Sequence, residues 1–499
     1  MIHLPRLQKR TGNMQSGNKL LATIEAHSID FVPAHERHGT LAAQARFWFL
    51  GNFNFATIPI GFIGPSMGLS FWWTVLAEAT GILAGTVFQA FHASQGAELG
   101  LPQMVQSRAQ FGYRGVIVPL FASFFTFVGF NIVNTILIAQ GLFAITGWNQ
   151  NFMALAACCL GGALAIWGYD WLHRVFTLMF WASVPLFAIL TAGVAAGIVL
   201  SPPPAPGGYN AVGFFTQLAA GASYNITYAV FVSDYTRYLP GRTGRARIIA
   251  TVFASSSLSA IWLIGLGAWL AVHFGATDAL SDIVLAGRGI FPQLGTLLAV
   301  VSIAALVAVI GMNSYSAMLT VLTAIDALHP IQPSRLSRII TIVSVICLSA
   351  AAAIGFGGNV IATLNNYFVI MLYLLVPWTA VNLTDYFFVR KGRYAILDLL
   401  KVNGCYGAWN SKGLLAYFVG FAASLPFCVM PGLFTGPAAE ALGGVDIGWF
   451  VGLIVTVSIY VWLTWDHDAT AETTAIAASL YLLESSLSHE AAVVPTDTV

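Results

Sequence analysis

The stretch Gln217-Leu-Ala-Ala-Gly-Ala-Ser-Tyr-Asn-Ile-Thr-Tyr-Ala-Val-Phe-Val-Ser-Asp-Tyr-Thr-Arg-Tyr-Leu-Pro240 is long enough to cross a bilayer, yet it does not read as a lipid-facing helix. Its first half carries Gly221, Ser223, Asn225 and Thr227, small or polar groups that let the helical ladder break. Its second half ends in Asp234 and Arg237. A broken helix at membrane depth frees amides and carbonyls, and these are tolerated only where they are buried in protein or line a cavity. The plainer alternative is an ordinary kinked span with a charged end.

Composition sets the class. The chain has 499 residues, 58% hydrophobic and 8% charged, with a mean hydropathy of +0.78; soluble domains carry roughly 25% charged residues. These values describe an all-α polytopic membrane protein. The net charge of +1 implies no pull toward nucleic acid. The five cysteines, Cys158, Cys159, Cys347, Cys405 and Cys428, show no metal-ligand spacing and read as small core residues. The first forty residues lack an apolar h-region, so a cleaved signal peptide is not expected.

Apolar stretches near the membrane-spanning length fall at 44–66, 70–92, 115–143, 150–168, 174–198, 209–236, 248–273, 292–325, 337–356, 360–389, 411–432 and 446–465, which makes twelve spans. With the N-terminus inside, twenty of the 21 Lys and Arg residues fall on the inner side, from Arg6, Lys9, Arg10 and Lys19 through Arg390, Lys391 and Lys412, and only Arg288 falls outside. One span more or fewer would invert every later loop and destroy that bias. Both termini are therefore expected in the cytoplasm, in a multi-pass protein of the cell (inner) membrane. The tail after Asp466 reads as a short helix or as disorder.

A second interrupted helix opens the chain: Trp48-Phe-Leu-Gly-Asn-Phe-Asn-Phe-Ala-Thr-Ile-Pro-Ile-Gly-Phe-Ile-Gly-Pro65, with two Asn, three Gly and two Pro. It begins the first five spans as 217–240 begins the next five. Interrupted helices at matching places in two halves point to a transporter with inverted repeats and a site near the midplane. Glycine and proline serving helix packing are the plainer reading. Other spans bring amides to the same depth: Asn131 and Asn134 in the third, Asn313 with Ser314 and Ser316 in the eighth, Asn365, Asn366 and Asn382 in the tenth. Amides beside aromatic rings suit a flat neutral heterocycle, which needs stacking faces and paired donors and acceptors. Among intramembrane carboxylates, Glu78 in the second span bears the greatest desolvation cost, while Asp234 and Asp385 have Arg237 and Arg390 within reach. His92, His173 and His273 sit at span ends and read as interfacial.

No phosphate-binding Gly-x-x-x-x-Gly-Lys-Ser/Thr loop, His-Glu-x-x-His or Gly-x-Ser-x-Gly motif occurs, so transport driven by an ion gradient outranks a pump or a membrane enzyme. A sensor that binds without transporting would call for an added soluble domain, and the short loops and residues 467–499 argue against one.

Four separated segments resemble the nucleobase:cation symporter-1 family, and within it the purine–cytosine permease branch. They are Val32-Pro-Ala-His-Glu-Arg-His-Gly39, Gly100-Leu-Pro-Gln-Met-Val-Gln-Ser-Arg-Ala-Gln-Phe-Gly112, Ser233-Asp-Tyr-Thr-Arg-Tyr-Leu-Pro240 and the run from Asn366 to Tyr394. The resemblance implies a LeuT-like core of two inverted five-helix repeats with helices 1 and 6 broken, plus two peripheral helices. Along the chain that gives an N-terminal segment at 1–43, repeats at 44–200 and 209–390, helices 11–12 at 411–465 and a tail at 466–499.

It further implies symport of cytosine or a purine by alternating access, with no cofactor and no enzymatic step. Allantoin, hydantoin, uracil, or a thiamine or pyridoxine precursor are the alternative cargoes. The implied substrate contacts are Asn54, Phe55, Phe130, Asn131, Asn134, Ser223, Tyr224 and Asn313, with Phe130 stacking and Tyr224 closing from the other face. In sodium-coupled members the eighth helix carries hydroxyls opposite carbonyls of the first. Here the matching positions are Val309 and Ile310, which favours a proton as the co-transported cation, with Glu78 a candidate carrier; a shifted alignment would bring in Ser314 or Ser316 and sodium. The oligomeric state is not legible.

Overall fold

The computed structural model describes residues 25, 27–199, 201–275, 278–355 and 360–493. Arg6, Lys9, Arg10 and Lys19, the side chain of Asn365 and the last residues of the tail lie outside the described residues. Among the described residues the regular structure is helical, apart from a two-stranded hairpin pairing Val429–Met430 with Phe434–Thr435 and an isolated bridge between Leu69 and Gly208.

Twelve spans can be followed. The first, α1, is Leu41–Asn52 continued at an angle of 51° by Phe55–Ser66. Then come α2 (Phe71–Leu99), α3 (Ile117–Thr146), α4 (Gln150–Trp167), α5 (Tyr169–Ala195), α6 (Ala211–Ile226, continued by Thr227–Val230 and Val232–Thr236), α7 (Arg245–Phe274), α8 (Pro292–Leu328), α9 (Arg335–Gly355), α10 (Val360–Thr384, with a π-helical turn at Asp385–Val389), α11 (Ser411–Ser424) and α12 (Gly448–Leu463). Eight of these helices are individually long and apolar enough to cross a bilayer, and the bent α1 makes nine. The broken α6 and the shorter α11 and α12 complete the twelve. The hairpin takes up part of the stretch expected to lie in the eleventh span.

Both breaks have local causes. In α1 the helix stops at Asn52; the Asn54 side chain accepts from Ala56 N at 3.1 Å and donates to Gly51 O at 2.8 Å, and a 3₁₀ segment containing Pro59 follows. In α6 the Thr227 hydroxyl donates to Tyr224 O at 2.5 Å, and Phe231 leaves helical geometry at φ −144° before the short second piece begins. Side-chain donors thus take up carbonyls that water cannot reach.

Helices α1, α2, α6 and α7 pack backbone to backbone. A Cβ on Gly61 would lie 2.1 Å from Ile264 O of α7, and one on Gly81 would lie 2.1 Å from Leu218 O of α6. Without hydrocarbon-driven attraction between helices in lipid, such close approach is the main source of packing energy.

Connectivity gathers the basic loops at one end, which we call the basic end. There Glu25 accepts from Arg338 Nη2 at 2.9 Å, Tyr315 Oη at 2.9 Å, Tyr169 N at 3.0 Å, Arg237 Nη2 at 3.4 Å and the Tyr238 hydroxyl. One carboxylate so joins the starts of α5 and α9, the end of α6 and the middle of α8. Burial works to raise the Glu25 carboxyl, but Arg338 and Arg237 outweigh it and hold it below the ordinary range.

Several expectations are corrected here. Arg237 gives its guanidinium to Glu25, Ser28 O and Tyr315, and touches Asp234 only at the backbone carbonyl; the Asp234 carboxylate instead accepts from Gln103 N at 3.0 Å. His92 is not interfacial: α2 runs on to Leu99, so His92 is buried, 2.8 Å from Thr379 Oγ1 and stacked on Trp378. His173 is likewise buried, beside Gln44. Cys159, Cys347 and Cys405 are exposed, and only Cys158 and Cys428 are core residues. Asp385 does pair with Arg390, and Arg390 reaches on to Glu472 at 2.8 Å on the terminal helix Ala469–Val493.

Candidate binding cavity between the two broken helices

The two breaks are tied to one another. Asn52 Nδ2 donates to Asn225 Oδ1 at 3.0 Å and to Ser256 O at 2.9 Å, and Asn225 Nδ2 donates to Thr86 Oγ1 at 2.6 Å. Thr57 Oγ1 donates to Asn52 O at 2.6 Å and lies 2.7 Å from Tyr224 Oη, while Tyr228 Oη donates to Gly51 O at 2.8 Å. These bonds fix the rings of Tyr224 and Tyr228 against the break in α1.

Beside this junction is a cavity lined by Asn54 and Ala56 of α1, Phe130, Val133 and Asn134 of α3, Tyr224, Thr227, Tyr228 and Phe231 of α6, Val309 and Asn313 of α8, and Phe368 of α10. Measured by the space open to water centres, its volume is about 20 Å³, enough for one or two waters and too little for a heterocycle. Phe130, Tyr224 and Phe368 form a triangle of rings. Their centroids lie 6.2 Å apart for Phe130–Tyr224 and 6.0 Å for each of the other two pairs, with interplanar angles of 64°, 53° and 80°. No two of these rings face one another in parallel, so the expected slot between Phe130 and Tyr224 does not exist in this contracted form.

Two polar groups of the wall are unspent. Asn134 and Asn313 are each 2% exposed, and the Nδ2 of each is buried without a hydrogen-bond partner. Two orphaned amides in one cavity are costly unless a ligand satisfies them. No charged residue belongs to the wall. The arrangement suits a flat, uncharged ring carrying acceptors.

Of the residues singled out from the sequence, Asn54, Phe130, Asn134, Tyr224 and Asn313 are brought together in this wall. Phe55, Asn131 and Ser223 are not. Phe55 is buried one position off the wall, between Asn54 and Ala56. Asn131 spends its Nδ2 on Ser314 Oγ at 2.9 Å, joining α3 to α8, and Ser223 Oγ donates to Phe368 O at 2.5 Å, which positions Phe368. Tyr228 and Phe231 escaped the sequence reading although they follow Tyr224 at i+4 and i+7; the break of α6 falls between them and brings both into the wall. Phe368 gave no signal, being one aromatic in an apolar run.

The positions considered for a cation are equally plain. Val309 gives the wall an apolar side chain, Ile310 O accepts from Ser314 Oγ at 2.7 Å, and Ser314 is already engaged by Asn131; the Ser316 hydroxyl has no partner. Among the described residues no group of three or more His, Cys, Asp or Glu could hold a metal ion. Glu78 is fully buried on α2, outside the wall, and neither carboxylate oxygen has a hydrogen-bond partner. It faces α7, where a Cβ on Gly265 would lie 3.3 Å from Glu78 Oε1.

Residues 31–452 match the family model described as permease for cytosine/purines, uracil, thiamine and allantoin. The chain is 32% identical over 445 residues to the Bacillus subtilis (strain 168) protein YxlA, whose name assigns it to the purine-cytosine permeases, covering 88% of this chain and 95% of that one. Its fold is similar to that of Mhp1, a nucleobase-cation-symport-1 family transporter. The TM-score is 0.71 at 18% identity to a closed form with bromovinylhydantoin bound, covering 91% of this chain and 98% of that one. Against the inward-facing form it is 0.64 at 17% identity, covering 89% and 95%.

Proposed function

The chain belongs to the permease family for cytosine/purines, uracil, thiamine and allantoin, and on that premise we propose that it imports a nucleobase, cytosine or a purine, by cation symport and alternating access. The observation that carries this reading is the cavity wall, where the rings of Phe130, Tyr224 and Phe368 share one lining with the partnerless amide nitrogens of Asn134 and Asn313. Asn134 and Asn313 donate to acceptors on the ring edge, Phe130 and Phe368 offer stacking faces, and Tyr224 with Asn54 closes the site from the two breaks. Asn131 and Ser223 act behind the wall, holding Ser314 and Phe368, and Phe55 is buried beside it.

The basic end faces the cytoplasm, because Lys and Arg are retained on that side during insertion, and both termini lie there. The transporter resides in the cell (inner) membrane. The repeats run over 44–200 and 209–390, with 411–465 peripheral.

The co-transported cation is a proton. Val309 and Ile310 supply no side-chain oxygen, and at the break of α1 Gly51 O already accepts from Tyr228 and Asn54, and Asn52 O from Thr57; sodium would have to compete with these donors. Glu78, buried and without a partner, is the group we assign to carry it.

The test is uptake of radiolabelled cytosine by cells lacking their own permeases, competed with adenine, hypoxanthine, uracil, allantoin and hydantoin, with and without sodium. Saturable uptake that purines block, sodium does not affect and a protonophore abolishes is the expected result. No cytosine uptake from protein shown to be in the membrane would transfer the assignment to another heterocycle of the family, and sodium dependence would overturn proton coupling.

A further inference from the structure

Between α7 and α8 the chain forms a short helix, Ala279–Arg288, at the end opposite the basic loops. It lies across the bundle, packed on α8, on the second half of α1, on α3 and on the ends of α5 and α7. Leu280 is wedged against Gly141 of α3, where a Cβ would lie 2.6 Å from Leu280 Cδ2. Ala279, Leu280, Ile283, Val284 and Ala286 are buried against these helices, so the short helix caps this end of the second half of α1 and of α3.

One residue of the buried face is out of place. Asp282 is 8% exposed, and its Oδ2 is buried with no hydrogen-bond partner. Its neighbour on the helix, Asp278, is fully used: its carboxylate caps the helix, accepting from Leu280 N and Ser281 N at 3.3 Å and from the Ser281 hydroxyl. A carboxylate buried without a donor is tolerated when it is protonated.

The ionisable groups around it offer no cation. On its own helix are Asp278, a like charge, and Arg288, six positions on, at the far end. The packed parts of α1 and the whole of α3 carry no ionisable side chain. The ionisable residues of α5, Tyr169, Asp170, His173 and Arg174, lie at its basic end, as does Asp326 of α8. His273 of α7 is turned to Ser201 and Pro202 O, at 3.1 and 2.9 Å.

We propose that Asp282 is an outward proton-binding site: the cap closes over α1 and α3 with Asp282 protonated, and opening releases the proton to the outside. This rests on the reading of the chain as an importer with this end external. Burial, with Asp278 adding to it, raises the Asp282 carboxyl to about 7, and opening returns it to the ordinary carboxylate range. The sign follows. Closure takes up a proton, so it is fully favoured below the ordinary range, weakens about tenfold per pH unit as pH rises toward 7, and flattens above it. The site thus makes closing over a bound substrate dependent on external acidity, separately from Glu78 inside the bundle.

The experiment measures the cap itself, with no substrate and no transport, so it stands or falls apart from the choice of cargo. In full-length protein in nanodiscs, with Cys159, Cys347 and Cys405 replaced by Ser, spin labels are placed through Leu285→Cys on the cap and Phe152→Cys on α4, both exposed positions. The distance distribution is then followed from pH 5 to pH 8. The closed population is expected to fall as pH rises, and in Asp282→Asn to stay at its pH 5 level throughout. Asp282→Glu, which keeps the carboxyl if the Asn variant folds poorly, is expected to retain the pH dependence. A parent protein with no pH dependence, or an Asn variant with the parent's dependence, would overturn the proposal.

Discussion

Asn52 of α1 donates its amide to the amide oxygen of Asn225 in α6 at 3.0 Å, so the two interrupted helices are bonded to each other at their interruptions. Asn225 passes the connection on to Thr86 of α2. The same polar residues that weaken each helix in isolation supply the bonds that hold the pair together.

Asn225→Ala is therefore expected to lower the melting temperature of the purified protein. It removes two buried side-chain hydrogen bonds, each worth about 0.6 to 2 kcal/mol in a membrane interior. A melting curve in detergent checks this, and a variant as stable as the parent would mean the two breaks are held by packing alone.

Asn313→Ala and Asn134→Ala are expected to behave in the opposite way. Each removes an amide that has no partner, so stability should be unchanged or slightly raised while cytosine binding weakens by about 1 to 3 kcal/mol, roughly 5- to 150-fold. Binding by isothermal titration alongside a melting curve separates the two effects.

Phe130→Ala and Phe368→Ala are each expected to weaken binding through the loss of a ring face, on the order of 1 kcal/mol or about fivefold. Retained affinity in either would make that ring a packing residue.

Glu78→Gln preserves shape and removes the titrating group. Uptake by this variant is expected to lose its drive by the proton gradient while substrate exchange persists, keeping only the external pH dependence that Asp282 confers. Uptake still driven uphill by a proton gradient would remove Glu78 from the coupling.

Glu25→Gln leaves Arg237 and Arg338 buried without their carboxylate, a loss on the order of 3–5 kcal/mol. The basic end should then open more readily, read as faster labelling of cysteines introduced along α6 and α8. Because the Glu25 carboxyl is held below its ordinary value, its contribution is present above the ordinary carboxylate range and is lost as pH falls through the depressed one. The difference between parent and variant should therefore be constant from pH 5 to pH 8.

Much of this architecture was legible in the sequence, because membrane helices announce themselves by length and hydropathy and the breaks by Gly, Pro and Asn at spanning depth. Asn54, Asn134 and Asn313 stood out for the same reason: amides are rare where lipid is the alternative. The residues that were missed gave no such contrast. Phe368 is an aromatic among aromatics, and its place in the wall comes from a bond between its carbonyl and Ser223 on another helix. Glu25 lies in a polar segment with no periodicity, and only the folded chain brings Arg237, Tyr315 and Arg338 around it. His92 was misjudged because the apolar run ends there while the helix continues to Leu99, shielded by protein rather than lipid.

The backbone contacts at Gly61 and Gly81 leave no compressible side chain at those points between the α1–α7 and α2–α6 pairs. Helices joined in this way resist sliding or splaying independently, so any tilt about the cavity must carry them together as one stiff lever. A lever has two arms, and a tilt that parts it from the helices at the basic end must press it against them at the cap. Mutual exclusion of the two openings is then a matter of rigidity, and a methyl group at either glycine, driven against a facing backbone carbonyl, should pry the lever apart and uncouple them.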